Sequence, residues 1–515
     1  MLPPIPVLAD YGISAKHGFL PDDLPLARLP DPYYNKWEAV VANLQALILS
    51  RRLRGVVDRL PVLSTDGLEH VAEWRRAYCI LCFMAHGYVW GGDRPSDRLP
   101  PPLAVPLLAV STRLEVPPVA TFAAVCLWNF KPLFVDEGVD RLENLATLNT
   151  LTGSLDESWF YLVSVAIEAR GGPMIAIMLA AMATVRRGEQ QEPDSEADTA
   201  ATVTACLCAF AERLDDLTGL LQRLHEQCDP TVFYHRIRPF LAGSKNMADA
   251  GLPHGLIYDD GTGHETYRQY SGGSNAQSSL IQFFDIVLGI EHRPTGDKGD
   301  KNDKAGTLSA SEPPPHNFIM EMRQYMPGPH ARFLRDVAAV ANIRPYVLAR
   351  PHDRPLAIAY DACLSMLRAL RDRHIAIVTR YIVVPSREAM RARSRSRSPE
   401  TVRRQPAVAQ PKPVNLARPT DSKQLKGTGG TALIAFLKQA RDETGEPAVE
   451  DWARRFLGRQ ARGPGKNDFF FGKPDESPLT PEVAAAAVTD DEEEIVGGMA
   501  GTWTIDDDVG GLCQY

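Results

Sequence analysis

The stretch LAIAYDACLSMLRALRDRHIAIVTRYIVV, residues 356–384, is the most informative part of the sequence. Its apolar side chains recur every three or four positions, and one stripe comprises Cys363, Leu367, Leu370, His374, Val378 and Tyr381. This spacing predicts one long helix with a single buried face. The same spacing recurs at 44–48, 162–169 and 281–288, and strand-like alternation is rare. We therefore predict a mainly α fold.

His374 lies within this apolar stripe and not on the charged face of the helix. The plainest interpretation is a core histidine that is hydrogen-bonded to a distant partner. A second interpretation comes from Arg371, which lies one turn earlier on the same flank. A neutral imidazole can ligate a haem iron, and a neighbouring guanidinium can neutralise a haem propionate.

A second informative stretch, YSGGSNAQSSLIQFFDIVLGI, spans residues 270–290. Its small and polar residues from Ser271 to Ser279 predict a loop whose backbone can approach a ligand closely. Helical spacing follows, with Ser278 or Ser279 as the N-cap and with Asp285 on the helix. An ordinary helix N-terminus explains the same pattern.

Two shorter stretches also carry candidate binding groups. TVFYHRIRPF, residues 231–240, places two aromatic side chains about one helical turn before Arg238, and aromatic walls with one guanidinium suit an aromatic amino acid. A surface arginine on a structural helix is the alternative. KGTGGT, residues 426–431, forms a flexible cradle of hydroxyl and N–H donors but lacks the G-K-[ST] ending of a nucleotide loop.

The charge of the chain is unevenly distributed. The 515 residues include 56 Lys and Arg against 64 Asp and Glu, a net charge of -8. Residues 386–426 hold eleven basic and three acidic residues, whereas 488–515 hold eight acidic and no basic ones. The rest of the chain is acidic too, which argues against a general nucleic-acid surface. As a hypothesis, the basic segment tethers a lid formed by 426–431 and responds to salt.

Other protein classes are disfavoured. The first residues show no export signal. The longest apolar run (173–185) is shorter than the ~18–20 residues of a membrane span. Eight cysteines are too few for a disulfide scaffold. Cys79 and Cys82 form a lone C-x-x-C within an apolar helical stretch, so buried thiols are favoured over a zinc pair. We expect a cytoplasmic protein that binds neither membrane nor nucleic acid.

Turn-forming and low-complexity segments divide the chain. We predict a small N-terminal domain over residues 1–153 and a larger helical domain over 154–473. Segments 292–316 and 386–426 would be flexible loops, and 474–515 an acidic, disordered tail.

Several blocks, taken together and in order, resemble the indoleamine 2,3-dioxygenase family, in its longer fungal form, from Asp31 to Thr444. The blocks are Trp37, Gly87–Gly91, Leu103–Pro106, Leu114–Pro118, Trp159–Ser164, Phe233–Arg238, Gly272–Ser279, Met326–His330, Arg373–Ile382 and Lys426–Thr431. The resemblance implies a large all-helical haem domain, with the smaller, mostly helical N-terminal domain forming a roof over the haem pocket.

The resemblance also implies roles for individual residues. His374 would ligate the iron of haem b, and Arg371, paired with Asp285, would meet a propionate. Arg238 would take the substrate carboxylate, and Thr428 the ammonium end. The residues that would line the substrate or cofactor pocket are Phe160, Ser164, Phe233, Tyr234, Gly273, Ser274 and Asn275.

The implied reaction inserts both atoms of O2 across the indole C2–C3 bond of L-tryptophan or a related indoleamine. N-formylkynurenine would result, the first step of the kynurenine pathway towards NAD. No side chain would act as a catalytic acid or base, because the cofactor is the reactive agent. An electron donor would keep the haem ferrous, and the protein would be a monomer.

Three residues depart from the family pattern and bear on substrate preference: Asn275 replaces a small apolar residue, and Tyr161 and Tyr234 replace phenylalanines. The alternative function is therefore a haem-binding helical protein with weak or no dioxygenase activity, acting as a sensor or through partners. A third interpretation takes the string Arg393–Pro399 as an adaptor for nucleic acid or for phosphorylation. A soluble loop is the favoured explanation of that string.

Overall fold

The protein is mainly α-helical, as predicted. The structure, a computed structural model, describes residues 3–188, 196–263, 265–294, 317–396, 433–459, 496–498 and 501–503. The α-helices are α1 (Asn35–Ala42), α2 (Leu44–Leu49), α3 (Leu53–Val57), α4 (Val71–Trp90), α5 (Pro101–Leu114), α6 (Leu155–Gly188), α7 (Glu196–Gln222), α8 (Leu224–Gln227), α9 (Pro230–Val232), α10 (Arg238–Leu241), α11 (Ser279–Leu288), α12 (Phe318–Met322), α13 (Gly328–Ala338), α14 (Ile343–Leu348), α15 (Arg354–Val378), α16 (Val384–Ser396), α17 (Leu433–Glu443) and α18 (Asp451–Arg459).

Short strands fasten distant segments of the chain. β1 (Arg98–Leu99) pairs in parallel with β4 (Leu256–Tyr258), and β4 pairs antiparallel with β5 (Tyr267–Arg268). β2 (Phe130–Pro132) and β3 (Leu145–Thr147) form a separate antiparallel pair. The sheet order β1-β4-β5 therefore ties the N-terminal third of the chain to the segment that precedes the Gly-Ser loop at 271–279.

One hydrophobic core surrounds α4. This helix is buried almost all round, from Ala77 to Val89, as expected for a helix that is apolar on every face. Its N-terminus is closed by a capping box between His70 and Glu73. Cys79 and Cys82 are free thiols in this core, and burial raises the pKa of Cys79 to about 12. The prediction of ordinary buried thiols is confirmed.

A second core lies between α7, α11, α13 and α15. α7 packs along both α6 and α15, and the buried face of α15 includes Cys363, Leu367 and Leu370 of the predicted stripe. The first half of α6, around Val163 and Val165, belongs to the core around α4, whereas its second half, from Met174, belongs to this one. α6 and α15 therefore bridge the two cores.

The backbone of α6 closely approaches the N-terminal segment at one point. A Cβ atom at Gly172 would lie 2.5 Å from the backbone nitrogen of Gly18, so only glycine fits there. By length and composition α6 could also cross a membrane, although the sequence shows no uninterrupted apolar run of that length. Of its most apolar window, 67% is buried inside the protein, which is the behaviour of a core helix.

Two predictions about unfolded segments were partly wrong. α16 continues through Ser396, so residues 386–396 are helical and not loop. Arg, Ala, Met and Glu are good helix formers and extend the helix that precedes them. In the tail, β6 (Val496–Gly498) pairs antiparallel with β7 (Gly501–Trp503), and the β-branched and aromatic residues at their outer ends favour strands.

Other predicted features fall beyond the described ranges. Residues 295–316, 397–426 and the remainder of the tail lie outside them, and so does the candidate cradle 426–431 with its proposed lid. The predicted domain boundary at residue 153 falls just before α6. The division into domains stays a prediction.

Candidate active site

A large cavity lies where the two cores meet. It encloses about 1950 Å³ of space not filled by atoms, part of it open to solvent. We call the face formed by Leu370, Arg371, His374 and Ile377 the α15 wall, and the face formed by Phe160, Ser164 and Glu168 the α6 wall. Among the residues selected from sequence, those lining the cavity are Phe160, Ser164, Phe233, Arg238, Gly273, Ser274, Asn275, Arg371 and His374.

His374 faces this cavity from α15. The imidazole is deep in the protein, and burial together with the nearby Arg371 charge lowers its pKa to about 4. The ring is therefore neutral at physiological pH. Its side chain has no hydrogen-bond partner among the described residues, so the interpretation of His374 as a hydrogen-bonded core histidine is not supported. A neutral imidazole with a free nitrogen is a competent metal ligand.

Arg371 is held in place at the same wall by an ion pair. Its Nη2 donates to both carboxylate oxygens of Asp285, at 2.7 and 2.8 Å, and its Nη1 donates to the hydroxyl of Thr444. Burial alone would raise the pKa of Asp285, but Arg371 and His292 outweigh it and lower that pKa. The expected pairing of Arg371 with Asp285 is present, and the guanidinium is fixed before any ligand arrives.

The ion pair continues into a buried network that reaches α17. His292 lies between two carboxylates, with Nε2 at 3.1 Å from Asp285 and Nδ1 at 2.6 Å from Glu443. Burial would lower the pKa of His292, but these carboxylates raise it above its ordinary value. The four side chains Arg371, Asp285, His292 and Glu443 thus form a network of alternating charge.

Three π-helical segments contribute side chains to the cavity. They are Ala123–Leu127, Phe233–Ile237 and Thr379–Val383, and π turns are frequent at functional sites. In two of them a proline, Pro239 or Pro385, follows two residues after the segment ends. A proline cannot donate to the carbonyl four residues earlier, and its ring crowds that carbonyl, so a wider turn accommodates it.

Aromatic rings form much of the adjoining surface. The centroids of Phe160 and Phe233 lie 4.8 Å apart, and Phe233 meets Tyr381 edge-on at 5.7 Å. Arg238 follows the second π segment, and burial lowers its pKa. Its guanidinium carbon lies 5.5 Å from the ring centroid of Tyr234. Arg238 is therefore partly buried and lines the cavity, not the surface.

The Gly-Ser loop borders the cavity through Gly273, Ser274 and Asn275. A Cβ at Gly272 would lie 2.0 Å from the carbonyl oxygen of Leu241, so the loop can pack there only with glycine. Gln277 anchors the loop, accepting from the backbone of Phe122 at 2.8 Å and donating to Gly272 at 2.9 Å. Ser278 is the N-cap of α11.

Comparison with known proteins agrees with this geometry. The family model described as indoleamine 2,3-dioxygenase matches residues 7–447. The chain belongs to the indoleamine 2,3-dioxygenase family. Indoleamine 2,3-dioxygenase of Saccharomyces cerevisiae is 42% identical over 86% of this chain and 93% of its own. Indoleamine 2,3-dioxygenase nanC of Aspergillus nanangensis is also 42% identical, over 86% and 98%. The 6-hydroxytryptophan 2,3-dioxygenase fscD of Fusarium equiseti is 37% identical, over 84% and 96%.

Some residues selected from the family resemblance do not line the cavity. Tyr234 is buried behind Arg238, and Tyr161 donates its hydroxyl to Glu157 at 2.9 Å. Neither phenol lines the cavity. Asp285 lies behind Arg371. Thr428 is outside the described residues.

Sequence reasoning also missed several wall residues of this family member. Glu168, Cys126, Phe122 and Phe436 line the cavity. Glu168 is the most consequential, because it is a carboxyl group in an otherwise apolar wall. Its position four residues after Ser164 places both on one face of α6, and that spacing is the one signal that could have identified it.

Proposed function

We propose that this member of the indoleamine 2,3-dioxygenase family inserts both atoms of O2 across the C2–C3 bond of L-tryptophan and forms N-formylkynurenine. The observation that carries the proposal is one cavity that presents the neutral His374, the paired Arg371 and the partly buried Arg238. The relatives' names specify indoleamine and, in one case, 6-hydroxytryptophan as what they act on. They support an indole amino acid as the substrate.

The α15 wall fits haem b. His374 would ligate the iron through its neutral imidazole, and Arg371, oriented by Asp285, would pair with a propionate. Ser274 would contact the cofactor from the Gly-Ser loop. No group of three or more His, Cys, Asp or Glu that could hold a metal ion by itself is found among the described residues, and a lone imidazole is sufficient when a macrocycle supplies the other ligands. When bound, ferrous haem supplies the activation of O2, which no side chain here supplies.

The remaining side chains bind and orient the substrate. Arg238 pairs with the carboxylate, and Phe160 and Phe233 pack against the indole ring. Ser164, Gly273 and Asn275 complete the surface around it, Tyr234 supports Arg238 from behind, and Thr428 meets the ammonium end. These groups hold the indole in one orientation and exclude water. Their contribution to the rate is therefore positioning, not proton transfer.

Incubation of the reduced, haem-loaded protein with L-tryptophan and O2 tests the proposal directly. We expect N-formylkynurenine, identified by mass and absorbance. Haem binding without this product would instead favour the alternative of a haem-binding sensor or interaction protein. An electron donor must keep the haem ferrous, and we propose a monomeric, cytoplasmic enzyme. The described cysteines are free, which suits a reducing compartment.

A further inference from the structure

The helix α17 forms part of the cavity wall, and charged side chains fasten its C-terminal end. Leu433, Phe436, Leu437 and Ala440 of this helix line the cavity. Its last residue, Glu443, has a side chain that is only 2% exposed. Whatever holds this carboxylate therefore also holds one wall of the cavity in place.

His292 is the residue that joins α17 to the opposite side of the network. Its side chain is 7% exposed and lies between Glu443 of α17 and Asp285 of α11. Nδ1 is 2.6 Å from Oε2 of Glu443, and Nε2 is 3.1 Å from Oδ2 of Asp285. An ionised carboxylate only accepts hydrogen bonds, so both contacts are hydrogen bonds only when both ring nitrogens carry protons. The geometry is that of a positively charged imidazole. We call His292, Asp285 and Glu443 the α17 clamp.

The charges of the directly bonded side chains balance only in that state. Arg371 and a protonated His292 carry two positive charges against the two carboxylates of the α17 clamp. Loss of the proton on His292 leaves an excess of negative charge in a buried space, and it turns one of the two hydrogen bonds into a contact between two acceptors. Two other cations lie nearby: Nε of Arg293 is 3.6 Å from Glu443, and Arg323 interacts electrostatically with Asp285. Neither of them lies between the two carboxylates as His292 does.

Arg371 extends this network to the cavity. Its guanidinium bonds Asp285 and also the hydroxyl of Thr444, the residue that follows α17. A carboxylate that pairs with Arg371 from the cavity side adds a negative charge to the network, and that charge favours protonation of His292. By reciprocity, a protonated His292 favours binding of the carboxylate. The propionates of haem b are carboxylates of this kind.

We propose that the α17 clamp makes cofactor retention depend on a proton: a protonated His292 fastens α17 over the cavity and supports the pairing of Arg371 with a haem propionate, and loss of the proton loosens the helix and speeds release of the haem. The inference rests on the proposed haem site. His292 does not line the cavity, so it is a positioning residue that acts through Arg371 and through α17.

The pH range follows from the groups that face His292. Burial lowers its pKa, but Asp285 and Glu443 outweigh burial and raise that pKa above the ordinary value of 6.5. The α17 clamp is therefore complete below about pH 6.5 and is lost as pH rises through the raised value. Burial and the charge of Arg371 lower the pKa of His374 to about 4, so the proposed iron ligand stays neutral over this range.

The first test measures how fast haem leaves the loaded protein between pH 6 and pH 9, by capture with excess apomyoglobin and Soret absorbance. We expect the wild type to release haem about tenfold faster at pH 9 than at pH 6, as for an ordinary coupling between two sites. His292→Gln cannot carry the charge and should release haem rapidly at both pH values. Glu443→Gln, which weakens the same contact from the side of α17, should lose most of the pH dependence.

A second readout follows the helix itself. Amide hydrogen exchange of residues 433–443 in the haem-loaded protein, corrected for the intrinsic effect of pH, reports how firmly α17 is held. Protection should fall from pH 6 to pH 9 in the wild type and should be low throughout in His292→Gln. A residue with a purely structural role would lower protection equally at every pH.

Glu446→Gln is the matched control, because it breaks the ion pair with Arg293 just beyond the same end of α17 and leaves His292 untouched. Haem release by this variant should keep the pH dependence of the wild type. Equal pH dependence in the wild type and His292→Gln, or protection of α17 that does not change with pH, would overturn the inference. A wild type that binds no haem at any pH would instead overturn the proposed haem site, and hydrogen exchange would still test the α17 clamp.

Discussion

The α15 wall and the α6 wall border the same cavity but differ in how completely their charged groups are paired. Arg371 bonds both oxygens of Asp285, and His292 joins Asp285 to Glu443. On the α6 wall, by contrast, Glu168 has one bonded oxygen and one without a partner in the described part of the chain. A polar network in which every group is hydrogen-bonded is rigid and specifies one arrangement. An incomplete network leaves a buried polar atom without a hydrogen bond, which costs folding free energy.

This difference distinguishes two kinds of ligand. A wall whose charges are neutralised within the protein can hold a permanently bound group without reorganising, which suits a prosthetic group. The α6 wall presents an aromatic ring and a hydroxyl, Phe160 and Ser164, to the cavity, which suits a substrate that comes and goes. We therefore expect substitutions on the α15 wall to abolish cofactor binding. Substitutions around the substrate should instead change the affinity for the substrate and the substrate preference.

The largest effect is expected for His374→Ala. Removing the one imidazole that the described residues place on the cavity wall should abolish stoichiometric haem binding, measured by the Soret absorbance of the purified protein. His330→Ala is the matched control: His330 is also buried, with its pKa lowered to about 3 by burial, but its ring lies tilted against Phe19 and does not line the cavity. A His374→Ala protein that retains one haem per chain would show that the α15 wall does not hold the iron.

The next largest effect is expected for Arg238→Ala, which removes the cation proposed to meet the substrate carboxylate. We expect haem to remain and KM for tryptophan to rise roughly 30- to 100-fold, as for a buried charge pair of about 2–3 kcal/mol. Arg236, exposed on the π segment that precedes Arg238, is the matched control and should leave KM unchanged on mutation to Ala. A fall in kcat at constant KM would place the carboxylate elsewhere.

Sequence periodicity predicted the helical class, the α15 helix and the stripe that contains His374, because these depend on local spacing. It did not predict the network behind Arg371, in which His292 and Glu443 are 151 positions apart. Contacts over such separations are set by the packing of α11 and α17 on α15 and leave no local pattern. The π segments before Pro239 and Pro385 were missed because both stretches retain helical spacing.

For a similar reason, only some of the residues of the site could be predicted from the sequence. His374, Arg371 and Arg238 stand out as polar residues in apolar surroundings, and the structure places all three on one cavity. Glu168 has the same character, but a carboxyl on a long helix is ordinary in sequence, and its significance comes from the free oxygen that only the packing reveals. Tyr234 was expected to lie beside the substrate. Whether its side chain faces the cavity or is buried behind Arg238 depends on the direction of one helical turn, which the sequence does not specify.

A smaller, pH-dependent effect is expected for His292→Gln, which interrupts the network of the α15 wall. Because the pKa of His292 is raised by its carboxylate partners, the stability that it contributes is complete below its ordinary pKa of 6.5 and is lost as pH rises through the raised value. The lowered pKa values of Asp285 and Glu443 act in the opposite direction, and their contribution is lost as pH falls below about 4.

Thermal unfolding followed by circular dichroism checks this prediction. The Tm of the wild type should exceed that of His292→Gln most at pH 6, and the difference should shrink by pH 9. His352→Gln, at an exposed position, is the matched control and should follow the wild type throughout. A difference in Tm that is constant from pH 6 to pH 9 would mean that the charge on His292 does not stabilise the network.

The smallest effect is expected for Asn275→Ala. Asn275 lines the cavity but is exposed, so any hydrogen bond it makes to the substrate competes with water. We expect KM for tryptophan to change by no more than about threefold, within the contribution of one neutral hydrogen bond of about 0.5–1.5 kcal/mol. Steady-state kinetics beside Arg238→Ala measures this, with haem content held equal. A change above tenfold would mean that the substrate is anchored through the Gly-Ser loop. The loop would then be a third binding surface, besides the α15 wall and the α6 wall.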